Sequence, residues 1–142
     1  MVNMRPFTAF EQKNLKFLVN HNVKFTQVEI TPTGLGKGIL DSTAPMRAYF
    51  LENGIHNYEE QLQGQKHKQI KQACILTDTT QFFTKASFYR PNTKKGDPRM
   101  WVYGFGSYTE GNDIHVLFWH EQILYSINIT HIDIEKCYNS AI

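Results

Sequence analysis

The chain has 142 residues, of which 41% are apolar and 13% aromatic, with a formal net charge of +2. That supplies a core for one domain over 1–142 and excludes a disordered segment. A charge this close to balance excludes a uniformly basic or acidic protein. No window offers the roughly 18 apolar residues of a membrane span.

Met1–Asn20 has no unbroken apolar stretch of the kind a secretory signal needs, so a soluble, intracellular protein is expected. Two cysteines far apart in sequence, Cys74 and Cys137, do not make a disulfide framework and are read as reduced thiols, Cys74 in a strand core. Asn128-Ile-Thr130 matches a glycosylation sequon, read as a chance match without a signal.

Thr8-Ala-Phe-Glu11 fits a capping box, and Leu15, Leu18 and Val19 follow near helical spacing, which predicts a helix over 8–20. Val23–Ile30 reads as a strand. Thr31-Pro-Thr-Gly34-Leu-Gly36-Lys-Gly38 packs three glycines into five residues and reads as a loop. Ser42 or Thr43 caps a second helix, with Pro45 in its first turn and Gly54 at its C-terminal end. Residues 55–70 are polar and predict a long loop. Strands follow at 70–78, 81–89 and 100–103, then a hairpin of 113–119 and 123–129 around His120-Glu-Gln122. The tail 131–142 has no clear pattern. Many short strands and two or three short helices predict a mainly β barrel or sandwich.

The sequence offers little chemistry of the catalytic kind. Lys37 of the glycine stretch is followed by Gly38, where a phosphate-binding loop needs Ser or Thr for magnesium. The third glycine also comes too early for a dinucleotide fingerprint. None of the six histidines sits in H-E-x-x-H or beside a cysteine at zinc spacing, so no metal ligand set and no cofactor are expected. Glu11-Gln-Lys13 has the E-x-K form of some nucleases but no acidic partner upstream, and no G-x-S-x-G elbow occurs. A hydrolase assembled from dispersed residues such as Asp113, His115 and His120 is the remaining enzymatic reading; no catalytic residue is assigned.

The net charge conceals a partition. Residues 1–64 are balanced, residues 65–99 carry eight basic against two acidic side chains, and residues 100–142 carry one basic against five acidic. Such a chain can present one face to polyanions and turn the other away. Within the basic segment lies Arg90-Pro-Asn92-Thr-Lys94-Lys95-Gly-Asp97-Pro-Arg99. Basic side chains bind phosphate and the O6/N7 edge of guanine. A carboxylate in their midst is what a cytosine N4 donor calls for, so Arg with Asp in one short loop is a mixture able to read G·C pairs in a major groove. The competing reading is a solvated turn with an internal Asp–Arg pair. Tyr89, Trp101 and Tyr103 are placed to anchor the loop's base.

Two stretches carry a resemblance: Thr31-Pro-Thr-Gly-Leu-Gly-Lys-Gly-Ile-Leu with the short helix after it, and Lys95-Gly-Asp97-Pro-Arg99 between two strands. In these, and in the order arm, helix, strands, second arm, strands, the chain resembles the N-terminal effector DNA-binding domain of EcoRII-type restriction endonucleases. That domain is similar to the plant B-three domain. The resemblance covers about residues 20–130. It implies a seven-stranded open β pseudobarrel gripping double-stranded DNA with two arms in the major groove. Lys95, Asp97 and Arg99 would reach base edges, and Thr33, Gly36 and Lys37 bases or phosphates. Arg90, Asn92 and Lys94 would hold phosphates. The implied target is short and G·C-rich, CC(N)GG-like. The implied context is a restriction system in the bacterial cytoplasm, whose nuclease active site lies on a further C-terminal domain. The chain departs from the family pattern at Gly96, Pro98 and Lys95, where an Arg makes a better guanine fork. A binding module for single-stranded nucleic acid, stacking bases on Phe83, Phe88, Tyr89 and Trp101, is the alternative.

Overall fold

The computed structural model describes residues 5–140. It is mainly β, a seven-stranded mixed sheet forming an open half-barrel with three short helices, as expected. The elements run α1 (Ala9–Asn20), β1 (Thr26–Glu29), α2 (Pro32–Lys37), β2 (Leu40–Asp41), α3 (Ala44–Glu52), β3 (Gln69–Leu76), β4 (Gln81–Tyr89), β5 (Arg99–Val102), β6 (Ile114–His120) and β7 (Ile123–Asn128). The sheet order is β1-β6-β7-β3-β4-β5-β2. Every pairing is antiparallel except β3 with β7, where Ala73 lies opposite Leu124.

Local chemistry explains the helices. Thr8 and Glu11 close the capping box of α1, and Thr43 caps α3 with Pro45 in its first turn. The glycine-rich stretch corrects the sequence reading, because it is a short helix and not a loop. The Thr31 side chain accepts from the Gly34 N–H, Pro32 occupies the first helical position, and Gly38 ends the helix at φ 68°. Leu35 packs on the core, which supplies what glycine's poor helix propensity lacks. The polar segment 55–68 is irregular but includes 3-10 turns at Tyr58–Glu60 and Gln65–His67.

Two apolar clusters sit on opposite faces of the sheet. One fills the half-barrel, where Phe50, Phe88, Met100, Val102 and Phe105 pack with α3. The other lies behind β6, β7 and β3, where Leu18 of α1 meets Val116, Ile127 and Ile134. β6 and β7 are therefore covered on both faces, which is why their sequences run apolar without alternation. Both cysteines are buried. Asn128 is buried too, its amide spent on Asp113 and the Tyr108 carbonyl, so the sequon presents no free acceptor. No helix among the described residues is long and apolar enough to cross a membrane.

Candidate nucleic-acid interface

Residues 90–98 connect β4 to β5 as a loop braced at both ends. The Arg90 guanidinium crosses the loop, donating from Nε to the Gly96 carbonyl at 2.8 Å and from Nη1 to the Tyr58 carbonyl at 2.8 Å. The Tyr58 hydroxyl donates to the Arg99 carbonyl at 2.8 Å and takes a hydrogen bond from Ser42 Oγ at 2.6 Å. Burial pushes that phenol's pKa up, so it remains a donor. The Ser42 N–H closes the frame on the Pro98 carbonyl at 3.0 Å.

Within this frame the chain doubles back through Lys95 (φ 58°) and Gly96 (φ 70°), both left-handed. A Cβ at Gly96 would stand 2.6 Å from the Gln63 side chain. Gly96→Ala is therefore expected to cost about 1 kcal/mol and to displace the loop. Gly36 has a helical backbone and nothing within 4 Å of its Cβ position. Gly36→Ala is expected to leave stability unchanged or raise it by up to about 1 kcal/mol. Urea denaturation of the two variants checks the contrast.

Arg90 apart, the polar side chains described on the loop are not consumed by it. Lys95 and Asp97 are exposed, and among the described residues neither has a partner, nor does an ion pair join Asp97 to Arg99. Arg99 is half-buried, and its Nε is buried without a hydrogen-bond partner. Asn92 is exposed. Lys94 belongs to the turn by its backbone, and its side chain lies outside the described residues.

The first arm is α2, with Thr33, Gly36 and Lys37 all exposed. It leads into β2, whose Leu40 and Asp41 oppose Met100 and Arg99 of β5. The two arms thus leave opposite ends of one short ladder, with Gly38 against the Trp101 indole at one end and Pro98 at the other. The intervening strand spans about 10 Å at roughly 3.3 Å per residue. Opposed residues share a face, so Tyr89 and Arg99, then Ser87 and Trp101, point away from the Met100 and Val102 side. That outward face is open at Phe83, Lys85 and Tyr103.

The aromatics divide. Of the four rings in the base-stacking reading, Phe88 and Tyr89 are buried, Trp101 is half-buried against Phe105, and Phe83 is 60% exposed. Tyr89 and Trp101 do anchor the loop's base, while Tyr103 stands in solvent. Sequence reasoning missed Tyr58 and Gln63, which lie in the polar segment and touch the arm through contacts more than 30 residues away.

The dispersed histidine set does not converge on an open site. His115 is wholly buried, its two ring nitrogens 2.7 Å from Thr109 Oγ1 and Ser126 Oγ. His120 lies beside Glu121 in the β6–β7 turn. Burial holds the His115 imidazole down at about 3. Below its ordinary value of 6.5 only the unfolded chain takes up that proton, so stability falls as pH drops from 6.5 towards 3. The slope reaches about 1.4 kcal/mol per pH unit. His56, also held low by burial, adds to it. His115→Gln is expected to flatten the pH dependence of the urea midpoint, and an unchanged slope would contradict this assignment.

Glu110, Asp113 and His131 place potential metal-ligand atoms within 4.8 Å of one another. Asp113, however, spends Oδ1 on His131 Nε2 at 3.0 Å and Oδ2 on the Glu110 N–H and the Asn128 amide, each at 2.8 Å. This arrangement ties the turn before β6 to the end of β7.

The chain matches no protein-family model, no curated protein and no solved structure.

Proposed function

We propose that this protein binds double-stranded DNA sequence-specifically, with α2 and the loop 90–98 as two arms in the major groove. The observation that carries the reading is the contrast within the second arm. Its backbone is held by Arg90, Tyr58 and Ser42, while the exposed side chains of Lys95 and Asp97 have no partner among the described residues. An internal Asp97–Arg99 pair, the competing account of the mixed charges, is not formed among the described residues.

In this reading Arg99 donates to guanine O6/N7, Asp97 accepts from cytosine N4, and Lys95 supports either base contact. Thr33, Gly36 and Lys37 of α2 meet the groove from the other side. Asn92, Lys94 and the remaining donors of Arg90 hold phosphates. The favoured target is a short G·C-rich site of CC(N)GG type. The biological role is that of a non-catalytic targeting domain of a restriction endonuclease in the bacterial cytoplasm, with the nuclease on a further domain. The basic segment 65–99 forms β3, β4 and the second arm, whereas Asp113, Glu121, Asp133 and Glu135 of the acidic segment belong to the β6–β7 side and the C-terminal turns. That separation favours one-sided approach to a polyanion.

The alternative, single-strand binding by base stacking, keeps one exposed ring, Phe83, of the four it calls on. Competition between duplex and single strand decides between them. Duplex preference is expected, and single-strand preference would transfer the function to the outward β4 face.

A further inference from the structure

Beside the second arm lies an open cleft of about 960 Å³, between the 61–67 turn and the start of the arm. Gln63, Gln65, Lys66, Arg90 and Asn92 are among the residues that line it, and no carboxylate does. The turn and the arm are fastened together. The Gly64 N–H donates to the Arg90 carbonyl at 2.8 Å, and the Gln63 side chain lies against Gly96. The Asn92 amide closes over Gly64, 3.4 Å from where a Cβ would stand. Gln61 spends its amide on the His67 and Phe88 carbonyls. Gln63, Gln65, Lys66 and Asn92 are exposed, and their side chains have no hydrogen-bond partner among the described residues.

We infer that this cleft seats the sugar-phosphate backbone of the DNA flanking the bases that the second arm reaches. A phosphodiester offers only acceptors and a negative charge. Lys66 supplies the opposing charge, the amides of Gln65 and Asn92 supply N–H donors, and none of the described lining residues is a carboxylate. Such contacts carry no sequence information; they fix the register in which Arg99 and Asp97 meet their bases. Because the turn is clamped to the arm, seating the backbone positions the reading residues as well. The inference rests on the duplex-binding reading and adds a third contact element to it.

The test compares wild type with Lys66→Ala/Gln65→Ala by fluorescence anisotropy. The duplexes carry a CC(N)GG-type site or a scrambled one, each with long flanks or trimmed to the site. Both substituted side chains are exposed, and matched thermal melts establish that the variant folds. On flanked duplexes the variant is expected to lose roughly three- to tenfold in affinity, by the same factor for both sequences. The salt slope is expected to fall by about one, with no change on trimmed duplexes. Unchanged affinity and slope on flanked duplexes would overturn the inference while leaving the arms' role standing. A wild type that binds no duplex would remove the duplex reading and the inference together. Inorganic phosphate separates the two sources of the same chemistry. If it raises the wild-type melting temperature but not the variant's, while duplex binding is equal in both, the cleft takes a free anion and the inference fails.

Discussion

Arg99→Ala is expected to weaken binding to the preferred duplex by about 1–3 kcal/mol, roughly 5- to 150-fold, and to relax discrimination at one base pair. Scrambled duplexes should lose far less, because the phosphate contacts of the other basic residues remain. The frame around the loop uses the Arg99 backbone carbonyl rather than its guanidinium, so the variant should melt close to wild type. Arg99→Lys restores the charge without the planar two-pronged donor and should not recover specificity. Asp97→Ala should relax the position read through cytosine N4 by a similar amount. Equal weakening of preferred and scrambled duplexes in Arg99→Ala would place that residue on phosphate rather than on a base.

Glu11→Ala is expected to destabilise the fold by about 3 kcal/mol without altering DNA specificity. Glu11 is wholly buried, and its carboxylate accepts from both terminal nitrogens of Arg5, from the Thr8 N–H and from the Thr130 hydroxyl. Thr130 in turn accepts from the Ile114 N–H, so one side chain joins α1 to the β6–β7 end of the sheet. The Arg5 guanidinium, ahead of the other partners, holds the carboxyl down at about 2. A lowered carboxyl contributes its stability above the ordinary value of 4.5 and loses it as pH falls towards 2. Glu11→Gln should remove that acid-sensitive component while keeping a cap acceptor, at a smaller cost. Urea midpoints at about pH 7 and about pH 3 give both quantities. A Glu11→Ala midpoint within about 0.5 kcal/mol of wild type would contradict the stapling role.

How much of this was readable from residues alone depended on how local the cause was. Thr8 with Glu11 and Thr43 with Pro45 are complete within one helical turn, so α1 and α3 fell close to their expected bounds. β4 and the β6–β7 hairpin were equally legible, through β-branched and aromatic runs bounded by turn residues. α2 was misread because glycine's cost was weighed and its caps were not, although Thr31, Pro32 and Gly38 stand at the start and stop positions of a short helix. The parallel pairing of β3 with β7 has no local signature, since it depends on how the β6–β7 hairpin packs. The mixed-charge loop was visible as a pattern. The Tyr58 brace and the Gln63 contact join segments far apart in sequence and became visible only in the fold.

In the proposed function, two arms on this half-barrel read duplex DNA by sequence. Fluorescence anisotropy at one stated salt concentration, with CC(N)GG-type duplexes, scrambled duplexes and the corresponding single strands, tests it most directly. A preference of about 10³-fold or more for one duplex over the scrambled set is expected. Equal weak binding to every duplex and strand, or none, would contradict it and leave a braced basic loop without a sequence to read.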